Sequence, residues 1–111
     1  MRRTPPARAE ALEDTARMLR CLGHPLRLAV LDLLDREGEL TVSQIHEALG
    51  LEQAACSQHL NLMRDKGVLA RRKEGVHVYY SIGDPRALRV LGCVRGEVRE
   101  PLVSRRDPGD V

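Results

Sequence analysis

Seven side chains able to act as soft or borderline ligands are spread along the chain: Cys21, Cys56 and Cys93, and His24, His46, His59 and His77. No two cysteines form a CxxC pair, and three cysteines make no even-numbered disulfide framework of the secreted kind. No two histidines have the i, i+4 spacing of a shared helical metal site. Cys56 falls in the first turn or so of a helix predicted to open at Gln53. The positive helix end there is expected to lower its pKa and favour thiolate. Free cysteine otherwise behaves as a small buried apolar residue. No Ser-His-Asp set, paired carboxylates or Gly-rich phosphate loop stands out, so the chain reads as a non-enzyme.

A second grouping is polar. On a helix over 53–66, Gln53, Ser57, Gln58, Asn61 and Arg64 share one face, while Ala55, Leu60 and Met63 share the other. Amides and hydroxyls near a helix start can bond base edges in a major groove. Segment 64–77 adds Arg64, Lys66, Arg71, Arg72 and Lys73 against Asp65 and Glu74, five cations to two carboxylates, a local charge of +3. Such a surplus attracts phosphate, with salt-dependent affinity.

The elements that must position these residues follow from period and punctuation. Leu12, Ala16, Leu19 and Leu22 mark one helical face over 10–22, closed by Gly23. Pro25 opens a second helix with a wide apolar stripe, and Gly38 stops it. Thr41 and Gln44 form a capping box for a short third helix that ends at Gly50. The 53–66 helix follows and stops at Gly67. Helix, tight Gly-containing turn, helix is the unit of helix-turn-helix DNA binders. From Val68 to Ile82 the chain turns β-branched and aromatic, predicting a hairpin with its turn at Lys73-Glu74-Gly75. Asp84 caps a last helix and Pro85 takes its first turn. The fold class is mostly α with a small hairpin, in the order α-α-α-α-β-β-α: a winged helix-turn-helix.

Composition narrows the classes. At 111 residues, 42% hydrophobic and 31% charged, the chain has the make-up of one globular domain. Its aromatics are two tyrosines, too few for a base-stacking platform. No apolar run approaches the ~18 residues of a membrane helix. The basic N-terminus lacks the apolar stretch of a signal peptide, so the expected location is the cytoplasm. Prolines at both ends suggest a disordered arm over 1–9 and a flexible tail over 99–111, flanking a domain over 10–98. That leaves about 90 residues to fold, a size at which a single core is thin and dimerisation commonly adds stability.

Three stretches, Leu22-Gly-His-Pro-Leu-Arg-Leu28, Leu60-Asn-Leu-Met-Arg-Asp-Lys-Gly-Val-Leu69 and Arg72-Lys-Glu-Gly-Val-His-Val-Tyr-Tyr-Ser81, closely resemble the ArsR/SmtB family of bacterial repressors. The resemblance runs in order through 10–98. It implies a homodimer joined through the first and last helices, bound to a palindromic double-stranded operator and released by an inducer. It places Gln53, Ser57, Gln58 and His59 in the DNA-contacting region of the recognition helix, and Arg71, Arg72 and Lys73 on the wing.

The resemblance also implies where an inducer would bind. The family's soft-metal cysteines near the third helix are replaced by Thr41 and Ser43, and neutral hydroxyls are poor ligands for soft ions. Its zinc positions on the last helix correspond to Asp84, Arg86, Glu97 and Glu100, and a fixed Arg86 cation repels a divalent ion. No metal or cofactor is therefore expected. Cysteine chemistry remains, with Cys21 and Cys93 on the two interface helices and Cys56 as a further thiol. The family's persulfide-sensing branch pairs a second-helix cysteine with one in the last helix, and here Asp32 takes the second-helix place. The leading expectation is a repressor answering a thiol-reactive, sulfide or redox signal. The alternatives are a metal- or metalloid-responsive repressor with non-standard ligands, a repressor with no small-molecule inducer, and a winged-helix interaction module that does not bind DNA.

Overall fold

Glycines and prolines divide the chain into short helices that wrap one central helix. The computed structural model describes residues 3–96. Helix α1 spans Pro6–Leu22, α2 Pro25–Glu37, α3 Val42–Leu49, α4 Gln53–Asp65 and α5 Pro85–Val94. Strand β1 is Leu40–Thr41, β2 Leu69–Glu74 and β3 His77–Ile82. The His24 side chain caps α2 by accepting from the Leu26 N–H at 3.1 Å, and Pro25 stands where a missing N–H costs nothing. Thr41 and Gln44 complete the capping box of α3 in both directions. Gly50 closes α3 in the left-handed conformation, φ 67°, which a side chain would oppose.

Helix α2 is the centre of the core. Val30, Leu31, Leu33 and Leu34 are all buried, which accounts for its wide apolar stripe. Ile45 of α3, Cys56, Leu60 and Met63 of α4, Val68, Tyr80 of β3 and Leu91 of α5 complete the same cluster. Burying each of the large aliphatic side chains contributes on the order of 1.5–3 kcal/mol.

The fold matches the winged helix-turn-helix expected, with three differences. Helix α1 starts at Pro6 rather than 10, so residues 6–9 of the expected disordered arm are helical. Proline at the first helical position has φ already set, the alanines behind it favour helix, and Ala9 N–H donates to the Pro5 carbonyl at 3.0 Å. The sheet has three antiparallel strands in the order β1-β3-β2, because Leu40 and Thr41 pair with Tyr80 and Tyr79. Two residues are too few to show an alternating pattern. The wing turn is Gly75-Val76, since Glu74 still pairs with His77. Gly75 takes φ 61°, and β2 runs two residues further than a turn at Lys73-Glu74-Gly75 suggested. The expected tail over 99–111 lies outside the described residues.

The apolar face of α1 is only half covered. Met18, Cys21 and Leu22 are buried, whereas Leu12 is 60% and Leu19 47% exposed. Val94 on α5 is likewise 65% exposed.

Candidate nucleic-acid interface

Helix α4 follows α3 across the turn Gly50-Leu51-Glu52, in which Leu51 N–H donates to the His46 carbonyl and Leu51 C=O lies 3.1 Å from the His46 ring. Leu60 and Met63 anchor α4 in the core with no exposure. That anchoring leaves Gln53 and Gln58 exposed and Ser57 half-buried, all within the first two turns. These three form a compact polar patch at the N-terminal end of α4.

The other expected reading residues have been given partners. Asn61 is exposed, and its side-chain oxygen accepts from the Tyr80 hydroxyl at 3.1 Å, which ties α4 to the wing. His59 is half-buried, with Nδ1 accepting from Arg27 Nε at 3.3 Å. Its ring lies 4.8 Å from that of His24, tilted by 58°. Burial, with His24 and Arg27 nearby, pushes the His59 pKa below its ordinary 6.5. Arg64 lies in the last turn of α4, pairs with Asp65 at 3.2 Å, and has a buried Nε without a partner.

The wing divides its charges between its two faces. Cross-strand pairing sets Arg71 opposite Tyr80 and Lys73 opposite Val78, on the face that carries buried Tyr80 towards Asn61 of α4. Both are exposed. Arg72 is opposite Tyr79, on the other face. Its guanidinium bonds both oxygens of Glu39 at 2.9 and 3.1 Å, reaches Glu74 at 2.8 Å, and lies 4.8 Å from the Tyr79 ring centroid. Those carboxylates hold Arg72 more firmly protonated, and Arg72 holds Glu39 below the usual carboxylate range. The +3 surplus over 64–77 is therefore not one patch. Arg64 and Arg72 are paired, Arg71 and Lys73 face outward on the wing, and Lys66 lies at the opposite end of α4.

The thiols do not behave alike. Cys56 has no exposure, and burial pushes its pKa up, which overturns the lowered value expected from the helix end. The helix end acts on a charged thiolate, but here forming that charge would require desolvating it. Cys21 is buried too, and its pKa is raised because desolvation outweighs the pull of Arg27 and Lys66. Cys93 is exposed. Cys21 opens on a cleft with Arg17, Arg20, Arg27, Leu62 and Lys66, and Cys93 on a shallow one with Arg89, Val90 and Val94. All three thiols are free, and Cys21 and Cys93 line different clefts of the protomer.

At the expected zinc positions, Asp84 caps α5 through the Arg86 N–H at 2.9 Å and is ion-paired to the Arg86 guanidinium at 2.8 Å. That pair lowers the Asp84 pKa. Glu97 and Glu100 lie outside the described residues. Asp32 accepts from Arg36 at 3.3 Å and from Arg95 at 2.6 Å. Arg95 also reaches Asp35 at 2.9 Å, so that the end of α5 is fastened to α2. Among the described residues, no three His, Cys, Asp or Glu side chains converge on a metal-sized site. No described helix is long and apolar enough to cross a membrane.

Known proteins share this arrangement. A family model for a helix-turn-helix domain matches residues 22–72. The transcriptional repressor PagR of Bacillus anthracis is 43% identical over 81 residues, which are 73% of this chain and 81% of PagR. Its crystal structure superposes with a TM-score of 0.73 at 38% identity, covering 78% of this chain and 98% of that one. The nodulation protein NolR of Rhizobium meliloti is 34% identical over 94 residues, covering 85% of this chain and 76% of NolR. A solution structure from Mycobacterium bovis superposes with a TM-score of 0.71 at 27% identity, covering 95% of this chain and all of that one. It is described as the homodimeric winged helix-turn-helix DNA-binding domain of a possible ArsR-family transcriptional regulator.

Proposed function

Because the chain belongs to the ArsR/SmtB family of winged-helix transcriptional repressors, we propose that it works as a homodimer on double-stranded operator DNA and is released by an inducer. The observation that carries this reading is the presence of two solvent-accessible polar sets, one on α4 and one on the wing. Gln53, Ser57 and Gln58 occupy the start of α4, and Arg71 and Lys73 occupy the wing face turned the same way as Tyr80. The first set has the donors and acceptors to read base edges, and the second has the charge to hold phosphates alongside. Asn61 supports the geometry through Tyr80, and His59 supports it through Arg27.

The dimer surface is the uncovered apolar stripe of α1, Leu12 and Leu19, together with Val90 and Val94 of α5. Exposed leucines seven residues apart on a helix are suited to burial against a second copy. Cys93 lies beside Val94 on this surface and is the thiol exposed in the single protomer, so a thiol-reactive inducer that reaches the seam meets Cys93. Changing the group at that seam favours a dimer shape that fits the operator less well, and linkage then lowers DNA affinity.

The test is binding of the full chain to duplex DNA from upstream of its own gene, against an unrelated duplex, at two salt concentrations. Tight, salt-dependent preference for the upstream fragment is expected, with release on polysulfide treatment of the wild type but not of Cys93→Ser. Equal binding to both duplexes, or none, would overturn the repressor reading. Release that persists in Cys93→Ser would overturn the Cys93 route alone.

A further inference from the structure

The cleft over Cys21 carries a charge pattern that the DNA-reading surface leaves unused. It is lined by Arg17, Arg20, Cys21, Arg27, Leu62 and Lys66, and encloses about 220 Å³. Four of the six lining residues are cations, and none is a carboxylate. Arg17 is paired with Asp14. Arg27 donates Nε to His59 and one terminal nitrogen to the Cys21 carbonyl at 3.0 Å, and it has no carboxylate partner among the described residues. Arg20 and Lys66 likewise have no ion-pair partner among the described residues. Each of these two sits at a helix C-terminus, where a single cation is favourable. That preference does not explain why they converge with Arg27 on one concavity, where like charges repel.

We propose that this cleft binds a small polyvalent oxyanion of the phosphate or sulfate class, held by Arg20, Arg27 and Lys66. An oxyanion offers several acceptors to three donors on different elements, and charge-assisted bonds of that kind are the stronger ones. The volume is several times the ~30 Å³ share of a water molecule, which leaves room for the ion and a short stem against Leu62. At its Lys66 end the cleft stands off the reading patch, while Arg27 brings its other end to His59 in the middle of α4. Lys66 follows the last residue of α4, and Gln58 lies eight residues earlier, about 12 Å along the helix at 1.5 Å per residue. The site thus goes beyond the repressor reading and does not depend on it.

The experiment is calorimetric titration of the full chain with inorganic phosphate, sulfate and glycerol phosphate, at constant ionic strength set with chloride. Saturable binding of one ion per protomer is expected, weakened roughly tenfold in Lys66→Ala and in Arg20→Ala, the loss of one charge-assisted bond. Lys66→Gln gives the same weakening with the side-chain length retained. Arg8→Ala, which removes an exposed cation near the start of α1, leaves binding unchanged. Tighter binding of glycerol phosphate than of phosphate assigns the site to a phosphate ester, and the reverse order to the free ion. No saturable binding, or binding in the Lys66 and Arg20 variants as tight as in the wild type, would overturn the proposal. So would loss of duplex binding in those variants in phosphate-free buffer, because the cleft would then be a backbone contact.

Discussion

Arg27 donates from Nε to Nδ1 of His59 at 3.3 Å, across 32 residues of sequence, and so fastens the first turn of α2 to the middle of α4. The bond requires an unprotonated Nδ1, because an imidazolium has no acceptor to offer. The other nitrogen of Arg27 that reaches protein holds the last turn of α1 through the Cys21 carbonyl. One guanidinium thereby sets three helices against each other behind the reading patch.

The pH dependence follows from this pair. The His59 pKa is lowered below 6.5, first by burial and then by His24 and Arg27. Between the lowered folded value and 6.5, the unfolded chain binds the proton and the folded chain does not. Stability therefore rises with pH through that window, is fully present above 6.5, and falls as pH drops below it. Asp32, Glu39 and Asp84 have lowered values and act only at lower pH, beneath the ordinary 3.8 to 4.5. Thermal unfolding between pH 7.5 and 5.5 is expected to show a falling melting temperature in the wild type. The fall is shallower in His59→Gln, which keeps an acceptor for Arg27 but does not titrate. An equal slope in both proteins would remove His59 as the cause.

Tyr80→Phe isolates the tie between wing and recognition helix. The ring is 3% exposed and stays buried, while the hydroxyl that donates to Asn61 at 3.1 Å is lost. A hydrogen bond of this kind contributes about 1 kcal/mol. For a domain of this size that corresponds to a fall of roughly 4–8 °C in melting temperature. Differential scanning calorimetry checks it, and an unchanged transition would show that Asn61 finds an equal partner in water.

The helices, the two stops at Gly38 and Gly50, and the long hairpin were all legible in the sequence, because each rests on local chemistry. Period, capping residues and left-handed glycines act over a few positions. The polar patch of exposed Gln53 and Gln58 with half-buried Ser57 was legible for the same reason, since Leu60 and Met63 fix which side of α4 turns in. What local pattern could not reveal is partnership over distance. Arg72 reads as a wing cation until Glu39, 33 residues earlier, is found beside it. Cys56 reads as an activated thiol until the packing of α4 buries it. The fastening of Arg95 to Asp32 and Asp35 spans at least 60 residues and leaves no periodic trace.

Gly83 is a position where space, and not backbone conformation, demands glycine. A Cβ there would stand 2.9 Å from the Leu69 carbonyl carbon and 3.0 Å from the Ala70 nitrogen. Both are backbone atoms of β2, so neither can swing away as a side chain would. The residue also donates its N–H to the Val68 carbonyl at 2.8 Å, which keeps the approach close. Gly83→Ala is expected to destabilise by on the order of 1–3 kcal/mol, the usual cost of overpacking. Urea unfolding measures it directly, and a loss well below that range would mean that β2 and β3 part there without penalty.

The two faces of the wing should separate in a salt titration. Arg71 and Lys73 are exposed and have no ion-pair partner among the described residues, so a phosphate that either one meets releases counterions. Substituting either by alanine is expected to weaken operator binding uniformly across sequences and to reduce the slope of log K against log salt by about 1. Arg72 is already neutralised by Glu39 and Glu74. Arg72→Ala should therefore leave the slope nearly unchanged and lower wing stability instead, through loss of the bidentate pair and the contact with Tyr79. Exposed pairs of this kind are worth about 0–1 kcal/mol, so the stability change is small. The contrast in salt slope is the deciding measurement. A slope reduced as much by Arg72→Ala as by Lys73→Ala would show that Arg72 leaves Glu39 for phosphate when DNA binds, and that both faces of the wing engage the backbone.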